Sequence, residues 1–237
     1  DSNSDLAGHS FGNLFITAMT RLTGDFEKAI KETSRVLALK GQVIPSSLDK
    51  VVLVAQHNDG SITEGEDKIP KARKPIKKVV LRPEYPRAAQ DAIKAIQEAQ
   101  IIILGPGSLY TSIIPNLLVK DMSEALKDSE AIKVYVCNIM TQPGETDGYK
   151  VSDHIKAIEV HSHNRVFDYC IVNVGKISDE VMKKYSKEDS YPVVADIENI
   201  EGMGYRVIED DIVVIDNFVR HDCEKLAKII LGLVEEI

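Results

Sequence analysis

Three stretches of this chain, 100–105 (QIIILG), 131–138 (AIKVYVCN) and 168–174 (DYCIVNV), are near-continuous apolar runs of strand length. A strand with one face in water alternates apolar and polar residues, whereas a strand covered on both faces does not need to. The three runs alternate with helix-length amphipathic stretches. That rhythm predicts an α/β fold: a mostly parallel sheet with helices on both faces.

The remaining elements are organised around this unit. Residues 11–24 and 25–39 carry apolar side chains at helical spacing, so they form a helical hairpin, with Gly24 ending the first helix and Asp25 capping the second. Residues 50–66 form a β-hairpin around Asp59-Gly60, and 75–83 add a strand. Together they make a β-rich insertion over 40–85 within a single domain spanning 1–237. Helices are expected over 88–99, over 112–128 in two pieces around Lys120-Asp121, and over 151–163. A short helix at 178–186 is capped by Ser178, and a closing helix runs over 222–236. Residues 205–216 form a strand pair.

Composition removes several functional classes. The formal net charge is −8 and aromatics make up 5% of the 237 residues, with no Trp. Nucleic-acid binding depends on Lys and Arg neutralising phosphates, so no nucleic-acid partner is expected. The basic stretch 68–78 (KIPKARKPIKK) is expected to be a solvated loop edge. The cysteines, Cys137, Cys170 and Cys223, are odd in number and contain no Cys-x-x-Cys. They indicate reduced thiols in a cytosolic protein, with Cys137 and Cys170 in the core. No apolar run approaches the roughly 20 residues that span a bilayer, so no membrane span is expected. Residues 1–10 are polar and acidic, unlike a signal peptide.

In open α/β sheets ligands sit beyond the carboxyl ends of the strands. The best mechanism lies at Gly105-Pro106-Gly107-Ser108. Gly105 and Gly107 allow a sharp turn and close approach to a ligand, and Ser108, Thr111 and Ser112 add hydroxyl donors. Pro115 lacks an N–H, which is harmless only in a first helical turn, so the helix is expected to begin no earlier than about Ser112. The motif lacks the third glycine of a dinucleotide fingerprint and the Gly-Lys-Ser/Thr of a P-loop. By itself it supports a phosphate site and a plain tight turn equally.

A second loop, 138–149, offers Asn138, Thr141, Gln142, Glu145, Thr146 and Asp147. In "VRHD" (219–222), Arg220 can grip a phosphate with two donors, His221 can act as acid, base or donor, and Asp222 suits a helix cap. Near the N-terminus, His9, Ser10 and Asn13 sit at a helix mouth, where Ser10 suits the N-cap. His154 and His161 share a helix face, but no third ligand stands at convincing spacing. Solvated histidines are expected there, together with His163, and no metal site is assigned. No catalytic residue is assigned either, since a Cys137 thiol in an apolar strand is expected to be core.

Taken together, "GHSFGNLFITAMT", "GPGSLYTSIIPNLLV", "VCNIMTQPGETDGY" with His154 downstream, and "VRHD" resemble the bacterial gluconeogenesis factor (YvcK-type) family. That family belongs to a superfamily that includes 2-phospho-L-lactate transferase (CofD). The resemblance runs from about Leu6 to the last helix. It implies a Rossmann-like α/β fold in a cytoplasmic protein that binds UDP-sugars, notably UDP-N-acetylglucosamine. It also implies a link between carbon metabolism in gluconeogenic growth and cell-wall synthesis and cell shape. The implied phosphate set is Ser108, Thr111, Ser112 and the backbone of Gly105 and Gly107, with Arg220 as the cation and His221 beside it. Asn138, Thr141 and Gln142 would meet base or sugar. No resident cofactor is implied.

The transferase branch is the alternative: a phospholactyl group moves from a nucleotide-activated donor to a deazaflavin with Mg²⁺, and Glu145 or Asp147 would be the metal candidates. Gly107-Ser108-Leu109-Tyr110 stands where that branch carries Ser-Asn-Pro-like residues, which moves this chain toward the binding branch. The family's N-terminal glycine-rich turn and Asp-Asp-Gly-Gly-type segment would lie upstream of Asp1, so their nucleotide contacts are not carried over. Homo-oligomerisation and protein partners in cell-wall synthesis are left open by the resemblance.

Overall fold

A computed structural model describes residues 11–235 of the chain. The helical hairpin is α1 (Phe11–Thr23) and α2 (Phe26–Val36). Asp25 caps α2, its Oδ1 accepting from Lys28 N at 2.7 Å. The insertion follows as β1 (Val52–His57), β2 (Ile62–Glu64), the single turn α3 (Ile69–Ala72) and β3 (Ile76–Arg82). Its strands form an antiparallel sheet in the order β2-β1-β3. The basic stretch 68–78 runs through α3, a loop at 73–75 and the start of β3; Lys68, Lys71, Arg73, Lys77 and Lys78 are solvated as expected, while Ile69 is fully buried.

Next come α4 (Gln90–Glu98), β4 (Ile101–Leu104), a wide helical turn over 109–113, α5 (Ile114–Leu117), α6 (Met122–Asp128), β5 (Ile132–Val136), α7 (Val151–Ser162), β6 (Tyr169–Asn173), α8 (Asp179–Tyr185), α9 (Ile197–Gly202) and β7 (Arg206–Asp210). Strands β4, β5, β6 and β7 pair in that order, and all three pairings are parallel. The chain closes with β8 (Val213–Ile215), β9 (Val219–His221) and α10 (Cys223–Glu235). Asp222 Oδ1 accepts from Glu224 N and Lys225 N, so the expected cap of the last helix is present.

The expected strand pair at 205–216 is not a pair. β7 joins the parallel sheet beside β6, whereas β8 turns away and pairs antiparallel with β9. The reason lies beside Ile212: its N–H donates to Asn173 Oδ1 at 3.1 Å and its side chain is fully buried, which redirects the chain between the two strands.

One buried cluster joins the two larger sheets. It holds Leu53, Val79 and Leu81 of the insertion together with Tyr135, Ile155 and Phe167 of the parallel unit. His154 and His161, expected to be solvated, are buried instead. His161 ties α7 to the insertion sheet: its Nε2 accepts from Val79 N of β3 at 3.1 Å, and its Nδ1–H donates to Ala157 O within α7 at 2.6 Å. His154 donates Nδ1–H to Lys150 O, and its Nε2 finds no partner among the described residues. Neither ring has an open position for a ligand at the protein surface.

Candidate functional site

The strand-end loops after β4 and β5 meet side by side, and two amides tie them together. Gly105 turns the chain at φ +83°, where an added Cβ would lie 2.9 Å from Val136 O and 3.2 Å from Ile113 Cδ1. Only glycine tolerates both the backbone conformation and that contact. Asn138 then grips Gly107. Its Nδ2 donates to Gly107 O at 2.8 Å, and its Oδ1 accepts from Gly107 N at 3.3 Å.

These two bonds fix which way the Asn138 amide points, and the orientation propagates. Asn138 Nδ2 also reaches Gln142 Oε1 at 3.4 Å, so Gln142 Nε2 is left to donate to Ser108 Oγ at 2.7 Å. A hydroxyl that accepts here keeps its own proton to donate elsewhere. Ser108 is thus set up as a donor at the strand-end surface.

The α-helix α5 begins at Ile114 with Pro115 in its first turn, within the expected limit, but a wide turn precedes it. Helical geometry starts at Leu109 as a wide turn, with Ile113 N donating to Ser108 O at 3.0 Å and Ile114 N to Leu109 O. Both bonds close before Pro115, so its missing N–H does not bar this turn. This turn already holds an anion of the protein's own. Glu145 Oε2 accepts from Tyr110 N, and its Oε1 accepts from Thr111 Oγ1, both at 3.3 Å. Glu145 is 2% exposed, and burial pushes its carboxyl above the usual carboxylate range. The Thr111 hydroxyl therefore serves the loop, while Ser112 stands exposed one residue on.

Thr141 is committed as well. Its N–H donates to Tyr191 O at 2.7 Å, its Oγ1 accepts from Tyr191 N, and its carbonyl accepts from Ser190 Oγ. These bonds stitch the loop to the segment after α8. His221 donates Nε2–H to Cys137 O at 3.0 Å, which brings β9 against the end of β5, and burial lowers its pKa. Arg220, the next residue on an alternating strand, faces the other way: it is exposed, with its guanidinium 5.9 Å from the Phe218 ring centroid. Cys137 is buried and its thiol is pushed up to about 12 by desolvation, the state of a core cysteine rather than a nucleophile.

His9 and Ser10 lie outside the described residues, as does the side chain of Asn13. The sequence-derived set thus resolves into a bonded group (Gly105, Gly107, Ser108, Asn138, Gln142), a committed pair (Thr111, Thr141), and Ser112, Arg220 and His221 at its edges. Arg73 and Tyr185, which border the same loop, were missed. Arg73 lies in the insertion, 116 positions from its ion-pair partner Asp189, and no local pattern links the two.

A parallel α/β sheet whose carboxyl-end loops form one cross-bonded polar surface defines a Rossmann-like α/β protein. No helix among the described residues is long and apolar enough to cross a membrane. The family model for 2-phospho-L-lactate transferase CofD matches residues 1–213. The gluconeogenesis factor of Bacillus subtilis is 46% identical over 237 residues, covering 100% of this chain and 75% of that protein. The gluconeogenesis factor of Halalkalibacterium halodurans is 44% identical over 232 residues, covering 98% and 72%. A relative from Nostoc sp. is 49% identical over 229 residues, and there the chain spans only 50% of the partner's length. The crystal structure of a UPF0052 family member from Bacillus halodurans superimposes with a TM-score of 0.91 at 45% identity, covering 98% of this chain and 75% of that one. The chain belongs to the CofD family, among its gluconeogenesis-factor members.

Proposed function

We propose that this protein is a cytoplasmic, UDP-sugar-binding regulatory protein that links carbon metabolism in gluconeogenic growth to cell-wall synthesis and cell shape. The ligand is UDP-N-acetylglucosamine or a close analogue. The observation that carries this reading is the amide relay from Gly107 through Asn138 and Gln142 to Ser108, which leaves a pre-oriented hydroxyl donor beside a glycine turn. Donors fixed before binding cost little entropy when the ligand arrives. Ser108 and Ser112, with the backbone of Gly105, face the diphosphate, while Asn138 holds both backbone groups of Gly107. Arg220, the expected cation, lies on the opposite face of β9 from His221 with its guanidinium over Phe218, so the diphosphate is met by hydroxyl and backbone donors instead. Relatives named gluconeogenesis factor support the metabolic part of the reading.

Calorimetric titration of UDP-N-acetylglucosamine tests it. Saturable binding is expected, weakened about tenfold or more in Ser108→Ala, which removes the pre-oriented donor. No heat at millimolar ligand, or unchanged affinity in that variant, overturns the reading.

The matching family model favours one second reading, phospholactyl transfer to a deazaflavin with Mg²⁺. Its metal candidates are otherwise engaged: Glu145 holds the 109–113 turn, and Asp147 Oδ2 accepts from Gly144 N at 2.7 Å. Mg²⁺-dependent product formation would favour transfer over regulation.

A further inference from the structure

Gln142, whose amide meets Ser108, also forms a wall of a separate cavity of about 390 Å³. Three distant segments build it. The insertion contributes Pro70 and Arg73, the loop after β5 contributes Gln142, and the end of α8 with the turn after it contributes Tyr185 and Glu188. The volume lies at the low end of the roughly 300–1,000 Å³ range of small-molecule sites, which suits one ring rather than a whole nucleotide.

Its chemistry is mixed. Arg73 and Glu188 put one donor-rich cation and one acceptor on the lining, and Asp189 stands at the rim, paired with Arg73 at 3.3 Å. Glu145 also borders the cavity, but its carboxylate is turned to Tyr110 N and Thr111 Oγ1. A phosphate gains little in such balanced surroundings, whereas a hydroxyl can donate to a carboxylate and accept from a guanidinium at once. Tyr185 Oη accepts from Val219 N at 2.7 Å and keeps its proton to donate. Pro70, Met140 and Pro143 add apolar surface for C–H faces.

The cavity is also built rather than incidental. Arg73 adopts φ +47° at the end of α3, its N–H donating to Pro70 O at 3.2 Å. Gly144 sits so close that a Cβ there would lie 2.7 Å from Arg73 Cα. The Arg73–Asp189 pair is more than half exposed on both sides, so exchanging it for ligand hydroxyls costs little.

We propose that this cavity receives the sugar ring of the nucleotide-sugar, with Arg73, Glu188 and Tyr185 hydrogen-bonding its hydroxyls. The inference rests on the nucleotide-sugar reading above and names the residues that would set the choice of sugar.

Parallel titrations of the 237-residue chain with UDP-N-acetylglucosamine and with UDP test it. Arg73→Ala and Glu188→Gln should each weaken UDP-N-acetylglucosamine about tenfold and change UDP by less than about twofold, because only the sugar loses partners. Melting temperatures near wild type show that the variants fold, and Glu188, on an exposed turn, carries the test if Arg73→Ala does not. If both ligands weaken together, or neither does, the sugar site is overturned while nucleotide binding stands. If the wild type binds neither ligand, the nucleotide-sugar reading falls and takes this inference with it.

Discussion

Asn138 holds both backbone polar groups of Gly107, donating to its carbonyl at 2.8 Å and accepting from its N–H at 3.3 Å. The amide is suited to this because it carries a donor and an acceptor side by side. The pairing joins the loop after β4 to the end of β5 and orients Gln142 and Ser108.

Asn138→Asp replaces the donor with a second acceptor facing Gly107 O. Loss of the bond and the new repulsion should cost about 1–3 kcal/mol of stability. Ligand affinity should fall as well, because Gln142 is released from its fixed orientation. Urea midpoints and calorimetry check the two effects separately.

Three glycines with positive φ should respond differently to alanine. Gly60 (φ +81°) has open space around its missing Cβ, so Gly60→Ala should cost only the left-handed penalty of about 1–2 kcal/mol. Gly105→Ala adds a contact at 2.9 Å to Val136 O, and Gly144→Ala one at 2.7 Å to Arg73 Cα. Backbone cannot move aside as a side-chain end can, so both should be clearly worse than Gly60→Ala in urea unfolding.

His161 must be neutral to accept from Val79 N, and burial lowers its pKa below 6.5, with His163 and Lys78 adding like charge. The unfolded chain therefore takes up this proton first. The His161 contribution is complete above pH 6.5 and is lost as pH falls below it. His154 and His221 shift the same way, whereas Glu145, with a raised carboxyl, acts with opposite sign above pH 4.5. Melting temperature should drop from pH 7.5 to 5.5. His161→Gln should lower it at pH 7.5 and make the slope shallower; an unchanged slope would show that His161 is not the source.

Glu145→Ala removes the carboxylate that fastens the second loop to the 109–113 turn. Hydrogen exchange should speed up at residues 141–147 and stay slow in β5, whose amides are held by the sheet.

Much of this was legible in the chain. The continuous apolar runs marked β4, β5 and β6, and Asp25, Ser178 and Asp222 each cap the helix expected of them. Gly105 stood out because a turn between a strand and a helix so often needs glycine. The misses share one cause. Pro115 limits where a regular α-helix starts, which α5 obeys, but says nothing of the wide turn before it. Ile212 looked like a link within a strand pair, but Asn173 and the core beneath it redirect the chain. His154 and His161 appeared solvent-bound from residue type, yet α7 lies beneath the insertion and has no wet face at those positions.

Local sequence fixed the parallel unit, the helix caps and the glycine turn, because each depends on the period of apolar residues or on the conformational range of one residue. Tertiary structure alone decided which polar groups remain available to a ligand. Thr111 and Thr141 are consumed by Glu145 and by Tyr191, while Ser108 keeps its proton because Gln142 donates to it. Arg73 comes to line one cavity with Gln142 and Glu188 only through the packing of the insertion against the loop after β5. A hydrogen-bonding group serves a ligand only if the fold leaves it unspent, and that depends on partners far away in the chain.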